Sequence, residues 1–199
     1  MHLPQLEDLG DLSGRRVLVR CDFNVPLSDG VITDDMRIRA ALPTLRYLIG
    51  AGAAVTACSH LGRPGGRPDP AFAMDPVRER LADLVPGVSL LENLRFDPGE
   101  TADAPEFVAR LVEGQDAYVN DAFGASHRSH ASIVGPPRHL PSAAGRLLAL
   151  EADDLGPELK WEPSRGGALF PHLYGPLRLA DVRWSRPLPT RLKVLSERV

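Results

Sequence analysis

Residues 1–150 alternate between short β-branched segments and longer amphipathic ones, and this alternation restricts the chain to few folds. The strand-like segments are residues 16–22, 53–58, 88–92 and 117–120. Helical periodicity fills the intervals between them, over residues 35–50, 75–84 and 104–112. Strands joined by helices form βαβ units, so we predict an α/β fold with a parallel sheet flanked by helices.

Local signals support some of the segment boundaries. Asp34 or Asp35 can cap the first helix, and Pro76 takes a tolerated first-turn position in the second. Pro43 falls inside the first helix, where we expect a kink or a loosened turn. Residues 142–154 fit either a helix or a strand that runs into a helix, and the sequence leaves both open.

Composition changes near residue 155. Residues 1–156 carry more acidic than basic groups, whereas residues 157–199 are net basic, rich in Pro, and contain both tryptophans of the chain. No sustained periodicity continues into this last stretch. We therefore predict a single domain over residues 1–155 and a poorly ordered Pro/Arg-rich tail over residues 156–199.

The net charge, the apolar runs, the N-terminal segment and the cysteine spacing argue against several classes of protein. A net charge of −3 gives no indication of nucleic-acid binding, and no apolar run is long enough for a membrane span. The acidic N-terminal segment lacks the apolar stretch of a secretory signal. Cys21 and Cys58 have neither a disulfide nor a zinc spacing, so we expect buried, reduced thiols and a cytoplasmic location.

Basic side chains gather where the predicted strands end. In parallel sheets, ligands bind beyond the carboxyl ends of the strands. Like charges collect there only if an anion or carboxylates offset them, and arginine recognises phosphate and carboxylate through paired hydrogen bonds. We predict a site for a small, multiply anionic ligand at this edge. Its candidate residues are Arg37, His60, Arg63, Arg95, Arg128 and, less directly, His127 and His130.

Other combinations at the same edge allow more than one interpretation. Asp22 and Asp121 form either a catalytic carboxylate pair or two separate groups that orient an arginine or cap a loop. His127 and His130 could share a metal ion, although no cysteine or carboxylate with ligand spacing supports this, and we predict no metal site. The Gly/Pro-rich loop over residues 61–70 matches no nucleotide-binding motif and is interpreted as a turn-forming loop.

Six segments resemble, in chain order, signatures of the phosphoglycerate kinase family. They are residues 22–26 (DFNVP), 33–39 (TDDMRIR), 60–64 (HLGRP), 91–96 (LENLRF), 120–124 (NDAFG) and 127–132 (HRSHAS). The resemblance covers residues 3–155. It implies a Rossmann-like domain that binds 3-phosphoglycerate, a hinge, and a second domain for MgATP or MgADP. The implied activity is reversible phosphoryl transfer between ATP and 3-phosphoglycerate in glycolysis, usually by a monomer.

The resemblance also implies roles for individual residues. Asp22 and Asn24 would contact the hydroxyl and carboxylate end of the substrate. Arg37 would steady the transferring phosphoryl group and is the one candidate catalytic residue. The phosphate and carboxylate would be bound by His60, Arg63, Arg95 and Arg128.

The chain departs from the family in two ways. It is about half as long, and nothing in it resembles the Gly-Gly-Ala-Lys segment or the later nucleotide motifs, so we expect a single truncated domain with no nucleotide or metal site. Between residues 84 and 88, a strand and a helix of the family look deleted. Three alternatives to an enzyme follow: a non-catalytic anion-binding fragment, the product of a disrupted gene, or a basic tail that contacts an acidic partner.

Overall fold

A parallel sheet forms the centre of the chain. The computed structural model describes residues 3–155, 167–168 and 177–178. The strands of this part of the chain are β1 (Arg16–Arg20), β2 (Leu27–Ser28), β3 (Val31–Ile32), β4 (Ala54–Cys58), β5 (Val88–Leu90), β6 (Ala117–Asn120), β7 (Ser142–Ala144), β8 (Gly167–Ala168) and β9 (Leu177–Arg178). Five of them form the central sheet in the order β5-β4-β1-β6-β7, with all neighbours parallel. Strands β2 and β3 form a small antiparallel hairpin, and β8 and β9 form a short parallel pair.

Six α-helices accompany the strands in the described residues, and three of them begin with a proline in the first turn, where its missing N–H costs no hydrogen bond. Pro43 lies inside the first helix, which nevertheless continues without interruption to Gly50. The helices are α1 (Met36–Gly50), α2 (Asp75–Leu84), α3 (Pro98–Ala102), α4 (Pro105–Val112), α5 (Ala131–Val134) and α6 (Arg146–Leu155).

Both faces of the sheet are buried. Along β1, Val17 and Val19 belong to a core that includes the apolar sides of α1 and α2, whereas Leu18 packs with residues of α4 and α5. All three side chains are fully buried, and each contributes about 1.5–3 kcal/mol to the stability of the fold. This double covering explains why the strand sequences are almost continuously apolar.

The structure confirms the α/β fold and the parallel sheet. Residues 142–154 follow the second of the two options, a strand (β7) that leads into α6. The prediction of a poorly ordered tail over residues 156–199 lies outside the described residues, apart from β8 and β9. Within the described part of the chain, no helix is long and apolar enough to cross a membrane.

The sheet ends at β5 on one side. Helix α2 finishes at Leu84 and β5 begins at Val88, so only residues 85–87 connect them. Gly87 has a φ of +93°, a value that glycine adopts without strain in such a tight connection. The short connection lies where the sequence suggests a missing strand and helix, and β5 is an edge strand.

Candidate anion-binding site

The carboxyl ends of the central strands meet at one edge of the sheet. Arg20, the last residue of β1, is in register with Cys58 of β4 and with Asn120 of β6. The segments that follow these strands carry the predicted site residues, so the sheet brings together side chains that are far apart in sequence. The structure thus places the predicted basic residues at the edge where a parallel sheet binds ligands.

A cavity of about 420 Å³ opens at this edge, and it contains three of the predicted arginines. Arg95 is only 9% exposed, whereas Arg63 is exposed and has no carboxylate at ion-pair distance among the described residues. The cavity is lined by Arg63, Gly65, Gly66, Arg95, Pro98, Thr101, Arg128 and His130. Its positive lining suits an anion.

Arg95 is held by the protein through one side of its guanidinium only. Its Nη1 donates a hydrogen bond to the carbonyl oxygen of Gly62 (2.8 Å), while its buried Nε has no partner. Burial, together with the charges of Arg128 and Arg20, lowers the pKa of Arg95 to about 10, so the group remains cationic at neutral pH. A buried cation with a free donor is costly unless a ligand completes its hydrogen bonds.

Glu100 supplies a negative charge behind the arginines. It is fully buried, and Ser132 donates to it twice, from the backbone N–H (2.9 Å) and from Oγ (2.6 Å). His130 Nδ1 lies 3.7 Å from Oε1 of Glu100 and makes no hydrogen bond. Burial, Arg95 and Arg128 lower the pKa of His130 to about 4, so this histidine is neutral at pH 7.

A second group of predicted residues lies beside the cavity rather than in its lining. Arg37 forms an ion pair with Asp22. Asn24 Oδ1 accepts a hydrogen bond from the N–H of Gly62 (2.8 Å), the residue whose carbonyl oxygen binds Arg95. Residue 62 therefore connects the two groups.

Gly124 allows the Asp22–Arg37 pair to form close to the backbone. A β-carbon at position 124 would lie 2.8 Å from Oδ2 of Asp22, so a larger residue would displace the carboxylate. The NDAFG segment thus contributes to the site through the absence of a side chain.

His60 is buried against Arg20, a residue that was not predicted from the sequence as part of the site. Its exposed fraction is 6%, and its Nδ1 lies 3.0 Å from Nη2 of Arg20, which is itself fully buried at the end of β1. Glu100 and Ser132 were not predicted as site residues either. The signal that could have identified Arg20 is a charged residue that directly follows the apolar run Val17–Val19 at the carboxyl end of the strand.

The two aspartates have separate partners. Asp22 binds Arg37, whereas Asp121 Oδ1 accepts the N–H groups of Leu147 (3.0 Å) and Leu148 (3.4 Å) in the first turn of α6. Burial raises the pKa of Asp121 to about 7. These contacts favour the interpretation in which each aspartate orients a neighbour or caps an element.

Metal binding by the histidine segment has no support in the described part of the chain. No group of three or more His, Cys, Asp or Glu side chains could hold an ion there. His127 is exposed, and His130 turns into the cavity lining. Both cysteines are buried free thiols in the structure.

Comparison with known proteins identifies the family. The family model for phosphoglycerate kinase matches residues 6–89 and 86–165, which reaches past the expected boundary at residue 155. The phosphoglycerate kinase of Rubrobacter xylanophilus is 49% identical over 79% of this chain and 47% of its own length. The Salinispora arenicola enzyme is 48% identical over 83% of this chain and 49% of its own length. The chain thus spans about half the length of the curated relatives it matches.

Solved structures agree with this assignment. The phosphoglycerate kinase of Coxiella burnetii superposes with a TM-score of 0.75 at 34% identity, covering 82% of this chain and 46% of that one. The Pyrococcus horikoshii OT3 enzyme gives a TM-score of 0.71 at 29% identity, with 83% and 47% coverage.

The aligned relatives have residues that this chain lacks. The Rubrobacter alignment spans 186 residues although it includes only 79% of the 199 residues here, so the relative has positions without a counterpart in this chain. The two matched segments of the family model meet at residues 86–89, next to the short connection before β5. The extent of the match, the identity of the relatives and the shared fold show that the chain belongs to the phosphoglycerate kinase family.

Proposed function

We propose that the cavity binds 3-phosphoglycerate, and that the chain provides the substrate-binding half of the phosphoglycerate kinase reaction. The observation that carries the proposal is the buried Nε of Arg95, which lacks a partner in a cavity shared with Arg63 and Arg128. An anionic oxygen at this position would complete the hydrogen bonds of Arg95 and offset the mutual repulsion of the three cations.

The proposal assigns the ends of the substrate to the two groups of residues. Arg63, Arg95 and Arg128, which line the cavity, bind its anionic groups, with His60 alongside. Asp22 and Asn24, beside the cavity, orient the hydroxyl and carboxylate end. The division is the one that the family resemblance implies. The backbone of residue 62 bonds to both groups, which supports their binding one small ligand together.

The chemistry proposed for this site is phosphoryl transfer to a carboxylate. A carboxylate oxygen of 3-phosphoglycerate forms a bond to the γ-phosphorus of ATP, the bond from that phosphorus to the bridging oxygen breaks, and ADP leaves. Arg37 would lie on the equatorial oxygens of the transferring group once it exchanges its bond with Asp22 for one with the phosphoryl group. Catalysis of this kind depends mainly on positioning and on charge stabilisation.

The magnesium nucleotide is a separate requirement of the reaction. Mg²⁺ would neutralise charge on the transferring phosphates, but the described residues include no acidic or histidine cluster that fits it. We therefore assign no step to residues around the metal, and the proposal for this chain concerns the acceptor substrate.

Calorimetric titration with 3-phosphoglycerate tests the proposal. We expect saturable binding to the purified chain that is strongly weakened by Arg128→Ala and by Arg37→Ala. Arg46→Ala is the matched control, because Arg46 is an exposed arginine of α1 that donates to the carbonyl oxygen of Leu84 and does not line the cavity. A folded chain that shows no saturable binding, or variants that bind like the control, would refute the proposal.

A second candidate function is binding without catalysis. It is favoured by the described residues, which supply an arginine-lined cavity for an anion but no cluster of acidic or histidine side chains that would hold a metal ion. A coupled assay for ATP-dependent formation of 1,3-bisphosphoglycerate separates the two functions: turnover supports the kinase, and binding without turnover supports the fragment. For the same protein we propose a cytoplasmic location and a monomeric state. Size-exclusion chromatography with light scattering would measure the oligomeric state.

A further inference from the structure

Arg20 is a charged side chain in one of the most buried positions of the fold. It ends β1, its exposed fraction is 0%, and it lies behind the cavity rather than in its lining. A buried guanidinium is costly unless its donors are matched. The hydrogen bonds of the Arg20 side chain therefore indicate its role in the fold.

Two of the three guanidinium nitrogens of Arg20 hold the side chain in place. Nε donates to Oγ of Ser132 (2.8 Å), and Nη1 donates to the carbonyl oxygen of Cys21. Ser132 Oγ in turn donates to Oε1 of Glu100 (2.6 Å), which is also fully buried. The guanidinium is thus connected to a buried carboxylate through one hydroxyl group, and it cannot rotate without breaking this connection.

The third guanidinium nitrogen of Arg20, Nη2, determines the protonation state of His60. Nη2 lies 3.0 Å from Nδ1 of His60. A guanidinium has donors only, so Nδ1 must be the acceptor and cannot carry a proton. The single proton of the neutral ring is then on Nε2, which makes no hydrogen bond within the described residues. His60 therefore offers a donor on the side of the ring opposite Arg20.

We propose that Arg20 is a positioning residue that fixes His60 as the neutral Nε2–H tautomer, so that His60 meets the bound acid as an uncharged hydrogen-bond donor. The part of this inference that concerns the ligand rests on the proposed function. The part that concerns the tautomer rests on the Arg20–His60 contact alone.

The surroundings of His60 favour the neutral ring as well. The charged or titratable groups that face it are Arg20 from β1, Arg95 from the turn after β5, and Arg128 and His130 from the segment before α5. Each of them is cationic or becomes so on protonation. Together with burial, they hold the pKa of His60 well below its usual range. Protonation would also break the bond to Arg20, so the tautomer should persist across the physiological pH range.

Nitrogen-15 NMR of the histidine rings in the wild-type chain provides the first test. Long-range proton–nitrogen correlations distinguish the two neutral tautomers from the imidazolium. We expect His60 to remain the Nε2–H form between pH 8 and pH 5.5. An Nδ1–H ring, or an imidazolium at pH 6, would overturn the proposal. This measurement needs no ligand and no variant, so it decides the tautomer even if the chain binds no 3-phosphoglycerate.

Arg20→Met provides the second test, with Arg16→Met as the control on the exposed end of the same strand. In Arg20→Met we expect His60 to show both tautomers and to titrate. We also expect the affinity for 3-phosphoglycerate to fall about tenfold, as for the loss of one oriented hydrogen bond, and to depend on pH between 5.5 and 7.5. A purely structural role for Arg20 would leave the tautomer and the pH profile unchanged, and that result would refute the proposal. If Arg20→Met does not fold, the wild-type spectrum decides.

Discussion

Replacement of Arg95 by lysine measures how much the shape of the guanidinium group contributes to ligand affinity, because the substitution preserves the positive charge. In the structure, Nη1 of Arg95 binds the Gly62 carbonyl oxygen, and Nε remains for a ligand. A lysine has one ammonium group, which can bind either the carbonyl oxygen or the anion from this buried position but not both in the same geometry. The variant therefore loses at least one hydrogen bond to a charged group, which contributes about 1.5–3 kcal/mol.

This loss corresponds to about a 10- to 150-fold weaker affinity for 3-phosphoglycerate, measured by calorimetry. Arg46→Lys is the control, because Arg46 also donates to a backbone carbonyl oxygen, that of Leu84 (3.2 Å), but on the exposed face of α1. The control should bind like the wild type. An Arg95→Lys chain that keeps its thermal stability and binds within about twofold of the wild type would refute the reasoning, since charge alone would then account for binding.

Three further predictions concern stability and reactivity. The pKa of His130 is lowered to about 4 in the folded chain, so below about pH 6.5 the unfolded chain binds a proton that the folded chain does not, and the fold loses stability. At pH 5 the free energy of unfolding, measured by urea denaturation, should be lower by about 1 kcal/mol after allowance for solvent screening, and His130→Asn should remove this loss. Gly145→Ala would place a β-carbon 2.2 Å from Oδ1 of Asp121, so thermal unfolding should show a loss of about 1–3 kcal/mol, whereas Gly50→Ala meets nothing within 4 Å and should not. Burial raises the pKa of the Cys58 thiol to about 12, so Ellman's reagent should react with it only after unfolding in guanidinium; rapid reaction of the native chain would contradict the buried position.

The sequence predicted the elements whose signal is local and repeated. The parallel strands and the longer helices were predicted because apolar periodicity extends over each of them, and α2 begins and ends at the predicted residues. The β2–β3 hairpin, α3 and α5 were not predicted. These elements have two to five residues each, too few to show a period, and their formation depends on caps such as Asp97 and on packing against the rest of the fold.

Some residues of the candidate site could be predicted from the sequence, and others could not. Arg63, Arg95 and Arg128 were found because charged residues just beyond predicted strands attract attention in a parallel sheet. Arg20 and Glu100 lie inside regular elements, where a charge is ordinarily interpreted as exposed. Their burial follows from the packing of α3 and α5 onto the sheet, and it could not be predicted while those helices were themselves unknown.

The short connection before β5 differs from the site in its position on the sheet, and this difference explains how both can exist in one chain. Residues 85–87 precede β5 and therefore lie at the amino end of that strand, whereas every predicted site residue follows the carboxyl end of a strand or begins α1. In a parallel sheet these are opposite edges. A strand missing before β5 would lie on the outer side of β5, at the edge of the sheet. It would not contact β1, β4 or β6, whose carboxyl ends lead into Asp22, His60 and the segment with Arg128. Loss of a strand and helix at this position would expose the edge of β5 and some apolar surface such as Leu91, with a cost in stability and solubility. The strand β5 would keep its pairing with β4, and the central strands their register, so Arg95, which follows β5, would remain beside Arg63 and Arg128 in the cavity.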